Sequence, residues 1–138
     1  AIRRAVEVNR PRPGDPAEVL RTVGGFDIAA MTGFYLGASA AGVPVILDGF
    51  ISAAAALAAF RLAPLSREGM IASHCSGEPG ARLLLEALGL SPVITAGLCL
   101  GEGTGAVALM PLLDMVAAVY HEMSTFGEIH IEAYKPQE

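Results

Sequence analysis

The stretch VPVILDGF at residues 43–50 decides the fold. Its first five residues are apolar and mostly β-branched, which is typical of a strand covered on both faces. Asp48 and Gly49 then turn the chain, and an alanine-rich segment over residues 50–62 predicts a helix that ends before Pro64. A strand followed at once by a helix is half of a βαβ unit, so this stretch predicts a parallel sheet.

The same alternation continues on both sides of this stretch. A second buried strand is predicted over residues 69–73, and a weaker extended segment over residues 92–100. Further helices are predicted over residues 16–23, 28–41, 79–88 and 104–123. We therefore expect an α/β fold with helices on both faces of a parallel sheet. Residues 1–126 are expected to form the domain, and residues 127–138 a polar tail.

The composition is more apolar than that of a typical soluble domain. Hydrophobic residues make up 53% of the 138 residues and charged residues only 17%, whereas a typical domain has about 25% charged residues. A membrane is one environment that could bury the excess apolar surface, because residues 28–47 carry no charge and are long enough to span a bilayer. Pro44 and the flanking Asp27 and Asp48 argue against it. We expect contacts within an oligomer, or with a further part of the same protein, to bury the excess apolar surface.

Charge and cysteine content narrow the partners and the compartment. A net charge of −5 and a pI near 5.1 argue against a nucleic-acid partner, which requires a basic stripe. Cys75 and Cys99, in a sequence with no signal peptide at its start, favour a reducing cytoplasm. The three histidines are scattered and show no metal-ligand spacing, so we expect neither a metal nor a cofactor.

The motif GEGTG at residues 101–105 places one carboxylate, Glu102, between glycines at the start of a helix. Gly101, Gly103 and Gly105 allow positive φ angles and close approach to a ligand, and the first N–H groups of the helix offer an anion site. Glu102 is then the side chain of this turn that can accept a proton. A glycine-rich turn before a helix is also common where it has only a structural role. The motif by itself therefore leaves the functional and the structural interpretation open.

Two other loops are expected at the same edge of the sheet. One begins at Asp48, after the first strand, and the other is SHCSGE at residues 73–78, after the second. Ligands of parallel sheets lie beyond the carboxyl ends of the strands, so convergence of the three loops favours a functional Glu102. An acidic group at Asp48 suits sugar hydroxyls. Asp27 is interpreted equally as a helix cap or a ligand contact. Glu78 is interpreted as a negative charge that stabilises the N-terminus of the next helix.

Four motifs, in this order, resemble those of the nicotinate-nucleotide:dimethylbenzimidazole phosphoribosyltransferases. They are GGFDIAAMTGF (24–34), LDGFISAAA (47–55), SHCSGEPG (73–80) and GEGTGA (101–106). The resemblance covers about residues 1–126 and implies the C-terminal part of a three-layer, Rossmann-like α/β domain. It implies a cytoplasmic, homodimeric enzyme of the lower-ligand branch of cobalamin biosynthesis. Such an enzyme moves ribose 5-phosphate from nicotinate mononucleotide to 5,6-dimethylbenzimidazole, and gives α-ribazole 5′-phosphate and nicotinate.

The resemblance also implies roles for single residues. Glu102 matches the catalytic base, Leu100 lines the benzimidazole pocket, and Asp27 matches a further acidic position near the site. The remaining positions implied to bind substrate are Asp48, Gly49, Ser76, Gly77, Gly101, Gly103 and Gly105. Cys75 and Ala81 depart from the family pattern, which has arginine and histidine there.

The family proteins are more than twice as long as this chain. The resemblance places a second glutamate and a lysine of the site before residue 1, so we expect this chain alone to be inactive.

Two alternatives belong to other classes. Gly101, Gly103 and Ala106 also fit the dinucleotide fingerprint GxGxxA, which is typical of a nucleotide-binding module. Gly97 weakens the strand that this fingerprint requires, and Glu122, at the spacing of its acidic residue, lies in helix-like sequence. The other alternative is a non-catalytic assembly fragment.

Overall fold

The computed structural model describes residues 1–132 and 135. Its elements, in chain order, are α1 (Ile2–Asn9), α2 (Pro16–Val23), α3 (Phe26–Ala40), β1 (Val45–Leu47), α4 (Phe50–Leu62), a 3-10 helix (Pro64–Gly69), β2 (Met70–Ala72), α5 (Ala81–Leu88) and α6 (Thr104–Glu122). The predicted α/β class is confirmed. Residues 133, 134 and 136–138 of the predicted polar tail lie outside the described residues.

The sheet is built around the βαβ unit that the sequence predicts. Strands β1 and β2 pair in parallel, with Val45 opposite Met70 and Leu47 opposite Ala72. Helix α4 and the 3-10 helix form the crossover between them. The extended segment predicted over residues 92–100 contributes one parallel bridge, between Ile94 and His74, beside the carboxyl end of β2.

The core lies between this sheet and helices α3, α4 and α5. Leu47 of β1 and Leu88 of α5 are each 1% exposed, and Ala56 of α4 is fully buried. The alanines of α4 let α3 approach closely, and the Thr32 hydroxyl of α3 donates a hydrogen bond of 3.2 Å to the carbonyl oxygen of Ala55. Close packing of small residues thus fixes α4 against its neighbours and sets the position of the loop that precedes it.

Several helix ends follow the sequence chemistry. Asp15 caps α2 by accepting a 3.0 Å hydrogen bond from the Glu18 N–H, and Gly89 ends α5 with a φ of 65°. The predicted cap at Asp27 is wrong, because α3 begins at Phe26 with Gly25 as its N-cap. Asp27 lies in the first turn of α3, where a negative charge interacts favourably with the helix dipole.

Helix α6 exposes more large apolar side chains than any other described helix. Residues 28–47, weighed above as a membrane span, fall into α3 and β1 and do not form one continuous helix. Among the described residues α6 is the helix whose length and composition would allow it to cross a membrane, a test that core helices of soluble proteins also pass. Its buried residues are Gly105 and Leu109. Its exposed apolar side chains include Val107, Met110, Met115, Val116, Val119 and Tyr120.

Candidate active site

A cleft of about 330 Å³ opens beyond the carboxyl ends of β1 and β2. All three loops singled out in the sequence contribute to its wall. Its lining comprises Asp48, Gly49, Phe50, Ile51 and Ser52 after β1, His74, Ser76 and Glu78 after β2, residues 99–103 before α6, and Met31 of α3. The topology therefore brings acidic, hydroxyl and apolar groups together at one edge of the sheet.

The structure gathers most of the predicted site residues around this cleft. Those that line it are Asp48, Gly49, Ser76, Leu100, Gly101, Glu102 and Gly103. Gly77 is exposed beside Ser76, and Gly105 is buried just inside α6. Asp27 is exposed in the first turn of α3, outside the lining of the cleft. The part each residue takes in binding stays a prediction.

Glu102 lies at the rim of the cleft on a strained turn. Its φ of 57° is left-handed, as are those of Gly101 at 78° and Gly103 at 77°. Left-handed backbone costs a residue with a Cβ atom about 1–2 kcal/mol, whereas glycine adopts it freely. The Thr104 hydroxyl closes the turn by donating a 2.6 Å hydrogen bond to the Gly101 carbonyl oxygen. The exposed Glu102 carboxylate is thus presented to the cleft by an unfavourable backbone conformation.

The carboxylate of Asp48 caps α6 from another part of the chain. Its Oδ1 accepts hydrogen bonds from the N–H groups of Gly105, at 2.8 Å, and Ala106, at 3.2 Å, and its Oδ2 accepts one from the Gly103 N–H at 3.2 Å. The start of α6 is therefore already occupied by a negative group of the protein. The anion site predicted there is wrong, and the dinucleotide alternative loses the helix N-terminus on which a pyrophosphate would bind.

Gly105 makes room for a neighbouring histidine. A Cβ atom at this position would lie 2.0 Å from His74 Nδ1 and 3.0 Å from Asp48 Oδ1. The His74 ring is 6% exposed, and its Nδ1 lies 3.0 Å from the hydroxyl of Ser73. Ser73 in turn donates a 3.0 Å hydrogen bond to the Asp48 carbonyl oxygen. Gly105 thus allows α6 to pack closely against the end of β2, and its expected part in binding a ligand stays a prediction.

The loop after β2 has its own internal contact. The Ser76 hydroxyl donates a hydrogen bond to the Glu78 carboxylate. Glu78 was expected to stabilise the following helix, but α5 begins only at Ala81 and has no side-chain cap. Glu78 therefore orients Ser76 in the wall of the cleft. Ala81, one of the two departures from the family pattern, is 3% exposed and suits a small side chain.

Two residues of this region were missed by the reasoning from sequence. Phe50 packs its ring against Gly80, where a Cβ atom would lie 2.7 Å from the ring edge, and so joins the first two loops. Tyr35 is 5% exposed, and burial raises the pKa of its phenol. Hydrogen bonding with Ser52 lowers that pKa and the charge of Asp48 raises it further. Tyr35 therefore stays a neutral phenol close to Ser52 and Asp48, which line the cleft, and no sequence pattern singled it out.

No group of three or more histidine, cysteine, aspartate or glutamate side chains within residues 1–132 and 135 is arranged to hold a metal ion. A further groove of about 370 Å³ lies between α2, α3 and α4 and is lined mainly by apolar side chains, with Arg61 at its edge. The sheet-edge cleft brings acidic, hydroxyl and imidazole groups together beyond the carboxyl ends of two parallel strands, where ligands of such sheets bind, so it is the candidate active site.

This chain is similar to known proteins over almost its whole length. The sequence profile described as "Phosphoribosyltransferase" matches residues 1–131. The nicotinate-nucleotide–dimethylbenzimidazole phosphoribosyltransferase of Ruminiclostridium cellulolyticum is 50% identical over 137 residues, which are 99% of this chain and 39% of that protein. The protein of the same name from Desulforamulus reducens is 54% identical over 127 residues, covering 92% of this chain and 36% of that protein.

A solved structure extends the comparison to the fold. The crystal structure of nicotinate-nucleotide–dimethylbenzimidazole phosphoribosyltransferase from Thermus thermophilus matches with a TM-score of 0.86 and 46% identity. The match covers 96% of this chain and 40% of that protein. This chain thus spans about two fifths of the length of the proteins it matches, and the resemblance found in its four motifs is confirmed.

Proposed function

Because this chain belongs to the phosphoribosyltransferase family matched over residues 1–131, we propose that it supplies the catalytic base of an enzyme that moves ribose 5-phosphate from nicotinate mononucleotide to 5,6-dimethylbenzimidazole. The relatives are named for a nicotinate nucleotide and dimethylbenzimidazole. The observation that carries the proposal is the exposed Glu102 carboxylate on a strained turn at the rim of the cleft.

The reaction requires one proton acceptor next to the incoming base. One benzimidazole nitrogen attacks C1′ of the ribose while Glu102 accepts the proton of the other nitrogen, so that positive charge does not build up on the nucleophile. The bond between C1′ and the nicotinate nitrogen breaks, and its electron pair neutralises the departing ring. Attack from the opposite face converts the β-nucleotide into the α product through an oxocarbenium-like state. No metal or cofactor takes part in this proposal.

The other groups of the cleft divide between the two substrates. Leu100, 76% exposed beside Glu102, offers an apolar surface for the benzimidazole ring. Ser76, oriented by Glu78, and the backbone at Gly49 face the nucleotide in our proposal. The chain spans about two fifths of the length of its relatives, so we propose that the 138 residues alone do not catalyse the transfer.

We further propose that the complete enzyme is a cytoplasmic homodimer that binds neither membrane nor nucleic acid. The acidic charge of −5 supports the last point. The exposed apolar side of α6 supports an intimate contact with the remainder of the enzyme or with a second copy.

The substitution Glu102→Gln in the full-length enzyme tests the mechanism. Loss of the general base is expected to lower turnover by about 10²–10⁴-fold, the usual contribution of such a group, while both substrates still bind. Steady-state rates and calorimetric titration measure the two effects. Glu86→Gln, on the exposed side of α5, is the matched control, and near-normal turnover of Glu102→Gln would remove Glu102 from the mechanism.

A further inference from the structure

We infer that Asp48 is a positioning residue that holds the Glu102 turn in its reactive conformation, and that its carboxylate does not serve mainly as a ligand of the ribose. The inference rests on the proposed role of Glu102. It replaces the expectation from sequence that Asp48 accepts hydrogen bonds from sugar hydroxyls.

The hydrogen bonds of Asp48 act directly on the turn. One carboxylate oxygen accepts from Gly103, the residue next to Glu102, and the other accepts from Gly105 and Ala106 at the start of α6. Bonds to a charged acceptor are stronger than bonds between neutral groups. They reach across 55–58 residues of sequence and so tie the turn to the end of β1.

The same turn is fixed from its other side by packing. The His74 ring fills the space that a Cβ atom at position 105 would need, and Ser73 links His74 Nδ1 to the Asp48 carbonyl oxygen. The start of α6 is therefore held between a carboxylate and a buried ring. We call Asp48, Ser73, His74 and Gly105 the turn clamp.

The clamp leaves Asp48 little capacity for a ligand. An ionised carboxylate has about four acceptor positions, and three backbone N–H groups already use Asp48. In contrast, the Glu102 turn has three successive left-handed residues and needs an outside support to keep its carboxylate aimed. Support of the turn is thus the role that these contacts favour.

The test uses Asp48→Asn, Glu102→Gln and the double variant in the full-length enzyme. Asparagine has one acceptor oxygen and one NH₂ group, so in either orientation a backbone N–H of the turn faces another donor. A catalytic group displaced by about 1 Å can lose about 10²-fold in rate. We expect Asp48→Asn to lower kcat by about that factor, with unchanged calorimetric affinity for nicotinate mononucleotide.

The double variant separates positioning from binding. If Asp48 acts through Glu102, Asp48→Asn should slow the Glu102→Gln enzyme no further, because the two residues then act as one unit. Glu86→Gln, at an exposed site on α5, is the control and should leave kcat and affinity unchanged. Multiplicative losses in the double variant, or a weaker nucleotide affinity with normal kcat, would overturn the inference. Normal turnover of Glu102→Gln would instead refute the proposed function and the inference with it.

A second pair of variants approaches the clamp without changing its charge. Gly105→Ala should push the turn away from His74 and reproduce the loss of kcat at constant nucleotide affinity. His74→Ala in the same protein makes room for the new methyl group and should restore part of the rate. This pair decides the question if Asp48→Asn does not fold, and an unchanged rate in Gly105→Ala would overturn the inference.

Discussion

Helices α4 and α6 are both apolar, yet the fold treats them in opposite ways. In α4 the residues Ala53, Ala55, Ala56 and Ala59 are buried against α3, the sheet and α5. In α6, which is six residues longer, Gly105 and Leu109 are buried and the rest is largely exposed. Hydropathy marks both as interior helices. The difference teaches that α4 completes an interior within the described residues, whereas the far part of α6 presents a surface for another contact.

The largest effect should come from placing the same charge in each helix. Ala56→Asp puts a carboxylate without a partner into the fully buried side of α4, and an uncompensated buried charge costs about 3–5 kcal/mol. Ala117→Asp, at an exposed site on α6, should cost less than about 1 kcal/mol, the helix-propensity difference. Urea unfolding followed by circular dichroism measures both. Equal losses would mean that α6 is packed as deeply as α4.

The next prediction divides α6 itself. Leu109 is fully buried and the adjacent Met110 is 51% exposed. Leu109→Ala should lower the free energy of unfolding by about 2–5 kcal/mol through lost burial and a cavity. Met110→Ala should change it by less than about 0.5 kcal/mol. If thermal melts show the two variants to be alike, the first turns of α6 are not anchored as described.

The smallest effect on folding should come from the exposed face of α6. Val116 is 65% exposed, so Val116→Glu should change the free energy of unfolding by less than about 0.5 kcal/mol. We expect the 138-residue chain to self-associate through its apolar helices. This variant should weaken that association by about tenfold, since burying a valine contributes about 1.5 kcal/mol.

Sedimentation velocity over a concentration series measures this association. Leu83→Glu, at a site on α5 that is 67% exposed, is the control for a charge added elsewhere. Monomeric behaviour of the unsubstituted chain, or an equal effect of the two variants, would contradict an interface on α6.

Local chemistry made much of this molecule predictable. Short apolar runs located β1 and β2, the bounds of α4 matched, and strand-end topology brought the three loops together. Long-range contacts were not predictable from the same patterns. Asp48 was interpreted as a carboxylate available to sugar hydroxyls because its partners lie 55–58 residues away in the sequence. Gly105 was interpreted as a point of close approach to a ligand because the ring that it accommodates, that of His74, is also distant in the sequence. Hydropathy likewise does not predict which apolar helix is buried by its neighbours and which stays exposed.

The left-handed backbone at Glu102 also bears on how this sequence can evolve. Glycine would relieve about 1–2 kcal/mol of conformational cost at that position, so mutation under selection for stability alone should drift toward glycine there. The glutamate at this position therefore stands against the preference of its own backbone. In a lineage that no longer needs the reaction, position 102 should be among the first of the turn to change, and its loss would leave a protein more stable than its ancestor.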